Sequence, residues 1–440
     1  MTKRPRVGRG SNSVQLRRYN ERIVLQVLRR VGEASKAELA RLANLTNAAI
    51  GGIIQELEAG GLIRTIGKRH DGGRGQPATI LRLDAAGAFG FGVRLDRTSI
   101  ETVLVDFSGR VIGRRAHDRI LPTPDKACEI ISRDIDNLLE LLDESQRERV
   151  TGVGLGIPFN LGAWLHELGL PGDTFRLWDD VDFRRLLEGA LPFPVFCEND
   201  ATAATIAELF YGVGRQHDDF LYVFIGPAIG GGVVTGGDCL RGVSGNAGHF
   251  AVMPVPPSKL PSAPKPSGPW DLLITRASLA ALTRHLAFRG IATASRTDLE
   301  QAVETGQPAV VEWLDDCIDA LLPAVWSAHA IVDVSILVID ADIDGGLIEQ
   351  LMSRLRQAMA NTAPEARKPP MIERGSFGPD AGAIGAASLP MFFNFSPRAS
   401  ILTGDDPGQG EGPASAGTAE LRSQTRTEAG LVSSRASPPR

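Results

Sequence analysis

Thr46, Asn47, Ala48, Gly51, Gly52 and Gln55 fall on one side of a short run whose other side is Ile50, Ile53, Ile54 and Leu57. Side-chain amides of Asn and Gln can make paired hydrogen bonds to adenine, and a threonine hydroxyl can bond a phosphate or a base edge. This polar face therefore has the chemistry to read duplex DNA. Two glycines inside a helix cost ~1 kcal/mol each relative to alanine. A duplex approaching the backbone closely would explain them; a frayed or bent helix is the alternative. Lys68, Arg69 and Arg74 follow, with Gly73-Arg74-Gly75-Gln76-Pro77 between short apolar runs. An arginine held extended by Gly and Pro suits a narrow A·T-rich minor groove. Elsewhere such a charge run would simply be a solvated loop; directly after a DNA-reading helix it becomes a second contact.

The elements that must position these groups are legible nearby. Ile23, Val24, Val27, Leu28 and Val31 recur at helical spacing. Ser35 followed by Glu38 is a capping box that opens a second helix with Leu39, Ala40, Leu42 and Ala43 on its apolar side. Asn44-Leu45-Thr46 breaks that helix and caps a third, which stops at Gly60-Gly61. Residues 62–66 and 79–83 read as two strands flanking the cationic loop. Three helices and a hairpin make a winged helix-turn-helix over residues 15–84, with the third helix in the major groove. The basic first twenty residues read as an arm, and residues 1–14 are expected to lack structure until bound.

The charge distribution agrees. Residues 1–78 carry 15 Lys or Arg against 6 Asp or Glu, whereas the remaining chain carries 32 against 46. A cationic head on an acidic body places the polyanion at the head. Of the 440 residues, 43% are hydrophobic and 22% charged, an ordinary globular composition. No apolar stretch reaches membrane-spanning length and no secretory core opens the chain, so a soluble, cytoplasmic protein without membrane partners is expected. Cys128, Cys197, Cys239 and Cys317 are far apart, which argues against a disulfide framework or structural zinc. From Ala88 strands and helices alternate in an α/β rhythm. The proline-rich stretch 254–270 reads as a loop, and residues 399–440 as a disordered tail.

The sequence resembles the ROK family (repressors, open reading frames and kinases) over about residues 15–395. The resemblance rests on Ser35–Gly61 and Gly73–Pro77 in the head. In the body it rests on Glu198-Asn199-Asp200-Ala201, Gly226–Gly232, Gly245–His249 and Asp380–Ala386. It implies an actin-like (ribonuclease H-like) two-lobed sugar-kinase fold over residues 87–398, with a sugar in the cleft. Asn199 and Asp200 match the pair that contacts sugar hydroxyls; a carboxylate and an amide together suit vicinal diols. Asp200 could instead merely cap the next helix. His249 matches the sugar- and zinc-contacting histidine, but Asn246 stands where the family has Glu. Asp271 stands where a further sugar-contacting Glu is expected, and the cysteine-rich zinc loop is missing, so no metal is expected.

Departures on the nucleotide side speak against ATP use, so no cofactor and no catalytic residue is assigned. The kinase loop Asp-x-Gly-x-Thr reads Arg94-Leu95-Asp96-Arg97-Thr98, and Gly-Thr-Gly-Ile-Gly reads Gly226-Pro227-Ala228-Ile229-Gly230. A guanidinium repels Mg²⁺, and Pro227 removes an N–H from a phosphate cradle. Arg94 and Arg97 offer two readings: a small-anion or sugar-phosphate site in its place, or surface ion pairs with Asp96 or Asp106. The expectation is a sugar-responsive repressor acting on operator DNA as a homodimer or homotetramer. A DNA-tethered sugar kinase and a sugar-independent scaffold for protein partners are the rivals.

Overall fold

Asn12 accepts from the backbone N–H of Gln15 at 2.9 Å while the Gln15 side chain accepts from that of Asn12 at 2.8 Å. This capping box starts helix α1 (Ser13–Val31) well before the apolar repeat begins at Ile23. Residues 13–20 are thus helix rather than part of a basic arm. The computed structural model describes residues 12–70, 77–166, 168–173, 175–266, 268–293, 295–343 and 346–403. The rest of the arm, Arg74 and the tail from residue 404 lie outside the described residues.

After α1 come β1 (Glu33–Ser35), α2 (Lys36–Leu42), α3 (Asn47–Ala59), β2 (Ile63–Arg69) and β3 (Ala78–Leu83). The expected Ser35–Glu38 box is present, with Ser35 N–H donating to Glu38 at 2.7 Å and Glu38 N–H to Ser35 Oγ at 3.3 Å. Thr46 Oγ1 caps α3 by accepting from Ala49 N–H at 3.2 Å. Leu28, Leu39, Ile50 and Ile63 close the core beneath them. Strand order β1-β3-β2 completes a winged helix-turn-helix. Strand β1 was not anticipated: Glu33 to Ser35 gain their place only by pairing with β3 across the domain.

The body begins with β4 (Phe89–Asp96), β5 (Ser99–Asp106) and β6 (Val111–Asp118), then α4 (Pro124–Leu139) and the single turn α5 (Glu144–Arg147). Next come β7 (Val150–Ile157), α6 (Phe183–Ala190), β8 (Val195–Asn199) and α7 (Asp200–Phe210). The second half holds β9 (Phe220–Ile225), β10 (Ile229–Thr235), β11 (Asp238–Cys239), the short ribbon β12 (Pro254–Val255) and β13 (Asp271–Leu272), and α8 (Leu273–Ala277). It continues with α9 (Leu279–Phe288), α10 (Arg296–Glu304), α11 (Pro308–Val332), β14 (Ile336–Ala341), α12 (Gly346–Thr362) and β15 (Met371–Arg374). Helices α13 (Ala381–Phe395) and α14 (Ser400–Thr403) end the described chain. Helix α14 lies where only tail was expected, and the ends of the proline-rich loop pair as β12–β13.

The two large sheets share one plan. Their orders are β6-β5-β4-β7-β8 and β11-β10-β9-β14-β15, each with an antiparallel trio followed by two parallel strands. This duplication is the actin-like two-lobed fold. Helices α7 and α13 cross between the sheets, and small residues allow it. In Phe89-Gly90-Phe91-Gly92 the phenylalanines fill one core while the glycines meet α13, since a strand alternates faces. A Cβ on Gly92 would collide with Ala387 and Ala383, and one on Gly385 with Ala203 and Ala204. No helix among the described residues is long and apolar enough to cross a membrane.

The head is docked on the body rather than tethered to it. Arg30 pairs with Asp218, and Arg22 donates to the Ser396 carbonyl at 3.2 Å. One apolar core runs from Val24 and Leu28 through Phe107 to Phe392.

Candidate nucleic-acid interface and interlobe cleft

Helix α3 turns Ile50, Ile53, Ile54 and Leu57 inward, and this fixes its other face. Thr46, Asn47, Ala48 and Gln55 are exposed, while Gly51 and Gly52 are half-buried. A Cβ added at Gly52 would meet nothing within 4 Å, and one at Gly51 only the flexible end of Lys36. Nothing inside the fold therefore requires either glycine, and the helix is intact across both. Arg17 of α1 pairs with Glu56 and holds α3 from behind.

Lys68 and Arg69 lie in β2, not in a loop, because the strand runs three residues farther than its apolar run. Lys68 is exposed. The Arg69 guanidinium donates to Glu38 of α2 at 2.5 Å, which ties the wing to the second helix. Hydrogen bonds from Ser35 hold the Glu38 carboxyl below its ordinary pKa, and Arg69 adds to this. Arg74 lies outside the described residues.

In the body, Asn199 ends β8 and is the cap of α7: its Oδ1 accepts from Ala201 and Thr202 N–H at 3.1 and 3.4 Å. Asp200 is the first residue of the helix and accepts from Ala201 N–H at 2.8 Å. Burial raises the Asp200 pKa, Asp96 adds to the rise, and Arg94 and Arg97 oppose it. A carboxylate with raised proton affinity in a half-enclosed place is a strong acceptor for hydroxyl hydrogens. Glu198, just before, is almost fully buried and paired with Arg241, whose guanidinium stands 4.8 Å from the Phe393 ring. That pair anchors the loop leading to His249 against the end of β8.

The Asn246 amide lies 2.9 Å from His249 Nδ1. Burial lowers the His249 pKa, favouring the neutral ring. With the amide N–H donating to Nδ1, the imidazole proton sits on Nε2, leaving one N–H donor for another partner. The loop is seated on glycines. A Cβ on Gly248 would collide with the Gly232 backbone, and Cβ atoms on Gly232 and Gly230 would collide with Thr205 and Ala201. Strand β10 thereby gathers the His249 loop and the first turns of α7. Asp271 sits apart from these four: it is buried in the β12–β13 ribbon and accepts from Ser258 N–H at 3.2 Å.

Arg94, on β4, reaches across to Asp342 at the end of β14, at 3.4 Å, and lies 3.7 Å from Asp96. Burial alone would lower its pKa, but Asp342, Asp96, Asp200 and Glu101 together hold it above the ordinary value. Arg296 of α10 also reaches Asp342, at 3.4 Å. Arg97 donates to three carbonyls, Leu161 at 3.0 Å, Asn160 at 2.9 Å and Ala163 at 3.0 Å. Both guanidiniums are spent on partners within the protein, so they pair internally rather than form an anion site. Asp342 carried no sequence signal; only the folding of β14 beside β9 brings it opposite β4. The loop Gly226–Gly230 is also held within the fold: Gly226 N–H donates to the Ala228 carbonyl at 2.9 Å, and the Gly226 carbonyl accepts from Leu279 N–H at the start of α9 at 2.8 Å.

Residues 90–391 match the ROK family. Over 246 residues the chain is 27% identical to the DNA-binding transcriptional repressor Mlc of Escherichia coli, covering 54% of this chain and 59% of that protein. Over 330 residues it is 27% identical to the glucokinase of Thermotoga maritima, covering 68% of this chain and 96% of the kinase. The crystal structure of a ROK family transcriptional regulator, a homologue of the E. coli Mlc protein, superposes with a TM-score of 0.64 at 21% identity, covering 88% of this chain and 99% of that one.

Proposed function

The chain belongs to the ROK family, and on that premise we propose that it is a sugar-responsive DNA-binding regulator whose kinase-like body binds its effector without transferring phosphate. The observation that carries this reading is the Arg94–Asp342 pair. It supports the reading because a largely buried guanidinium stands at the position that the resemblance assigns to the kinase phosphate loop, and because it ties the two lobes together from within. The tight turn at Gly226–Ala228 supports it, since Pro227 offers no N–H and the Gly226 N–H is already used.

In this reading α3 enters the major groove with Thr46, Asn47, Ala48, Gly51 and Gln55 toward the bases, and Lys68, Arg69 and Arg74 follow the backbone or minor groove. Asn199, Asp200, Asn246 and His249 hold sugar hydroxyls, with Asp271 of the β12–β13 ribbon as the remaining candidate. Because Asn246 replaces an acidic residue, the pocket presents one anionic acceptor fewer, which selects the sugar. Effector binding shifts lobe closure, and the docked α1 passes that shift to the heads of a homodimer or homotetramer. A ligand with equal affinity for both arrangements would do nothing. Repression of carbohydrate-use genes, relieved by the sugar, is the sign proposed.

Two assays on the full chain test it. Capture of genomic fragments, repeated with candidate sugars, should recover a discrete operator set that one sugar releases. That sugar should also raise the melting temperature by mass action, and Asp200→Asn should weaken its binding at least tenfold. ADP release with a hexose, abolished by Asp200→Asn, would instead make the protein a DNA-tethered kinase. Operator capture with no sugar-dependent shift across a broad panel would favour the scaffold.

A further inference from the structure

Helix α3 carries no Lys or Arg; its charged residues are Glu56 and Glu58. A polyanion repels such a helix, so positive charge at its reading face has to come from elsewhere in the fold. Lys36, the first residue of α2, supplies it. Its side chain lies along α3: a Cβ built on Gly51 would stand 2.9 Å from Lys36 Nζ and 3.7 Å from its Cε. Any side chain at position 51 would displace the ammonium, and glycine leaves it room.

The carboxylates of α2 and α3 each have another partner. Glu38 accepts from Arg69 and Ser35, Glu56 pairs with Arg17, and Glu58 accepts from Thr65 Oγ1 at 3.0 Å. Lys36 is exposed, and its ammonium has no ion pair or hydrogen bond among the described residues. Gly51 is half-buried, on the border between the apolar face of α3 and exposed Ala48 and Gln55. A cation at the border of a groove-entering helix meets the sugar-phosphate backbone that walls the groove rather than the base edges on its floor. The position of Lys36 agrees, because the first helix of such a pair crosses the backbone.

We propose that Lys36 is a DNA-contact residue, its ammonium bonded to a phosphate beside the major groove, and that Gly51 is the clearance that lets it lie there. This rests on the reading of α3 as the DNA-reading helix and adds to it the cation which that helix lacks. A lysine binds phosphate as a point charge, without the fixed fork of an arginine. The contact therefore positions the helix on the duplex and is indifferent to sequence. Because the glycine serves the lysine, the two positions are coupled: a change at Gly51 acts on DNA binding through Lys36.

The test is duplex affinity of the full chain over a salt series, with a captured genomic fragment and a random-sequence duplex of the same length. Lys36→Gln should weaken both about tenfold at low salt and lower the slope of log affinity against log salt by about 1. Its unfolding midpoint should stay that of the parent, since the side chain is exposed. Lys36→Arg, which keeps the charge, should retain most of the affinity. Gly51→Ala should weaken the parent severalfold and have no further effect on Lys36→Gln. Three results would each overturn the proposal while leaving DNA binding by the head in place: unaltered affinity and slope in Lys36→Gln, a loss confined to one base pair of the fragment, or a Gly51→Ala loss of equal size in both backgrounds. Failure of the unsubstituted chain to hold either duplex would remove the proposal together with the reading beneath it.

Discussion

Gly52 stands on the side of α3 away from its buried isoleucines. Open space surrounds the position where its Cβ would be, so packing gives no reason to keep a glycine there. If DNA supplies the reason, Gly52→Ala should have opposite effects on two measurements. Denaturant unfolding should show a gain of up to about 1 kcal/mol, from helix propensity. Operator affinity in a gel-shift titration should fall. Unchanged affinity would remove the close-approach account. Removing one partner of a largely buried ion cluster leaves the others uncompensated, so Arg94→Ala should destabilise the fold by about 3 kcal/mol. Burial already raises the Asp342 and Asp200 pKa values, with Arg94 opposing both rises. In its absence these carboxyls take up protons more readily, so the loss should be smaller at pH 5 than at pH 8 in parallel denaturation curves.

Among the elements, the wing divides its labour. Arg69 is held by Glu38, whereas Lys68 is exposed. A phosphate contact from Lys68 predicts that Lys68→Ala weakens all duplexes alike and lowers the slope of log affinity against log salt by about 1. A base contact from Gln55 predicts that Gln55→Ala costs about 1–3 kcal/mol at one base pair and relaxes specificity there. Binding measured across single-base operator variants and a salt series distinguishes the two. The segment between β15 and α13 depends on another set of contacts. Ser376 donates through N–H and Oγ to Glu208 of α7, while Gly378 N–H donates to Asp340 of β14 at 3.0 Å.

Those two carboxyls make the stability of the whole molecule depend on pH. Burial raises Glu208 to about 7 from the usual 4.5, and Asp340 to about 6 from 3.8. Between the unfolded and folded pKa values the folded state keeps a proton that the unfolded chain has lost. Stability therefore falls as pH rises through that window and levels off above about 7. For Glu208 the fall is about 3 kcal/mol between pH 4.5 and 7. Denaturation midpoints across that range should decline in the parent, and Glu208→Gln should remove most of the slope. The seam between head and body belongs to the same scale: α1 is packed on the body through Arg22 and Arg30.

The order of the head's three helices and its hairpin, the Ser35 and Thr46 caps, the polar face of α3 and the departure of residues 94–98 and 226–230 from the kinase pattern were all legible from residue types at short spacing. Caps, periodicity and turn residues are local, and local physics is written along the chain. The Asn12–Gln15 box was equally local but lay hidden under the basic charge that suggested an unstructured arm. What no spacing could disclose was long-range partnership. Arg94 meets Asp342 across 248 residues and Arg29 meets Phe210 across the domain seam. Both meetings depend on two sheets of like topology folding over α7 and α13, and a side chain's partner is set by where distant backbones come to rest rather than by its neighbours in sequence.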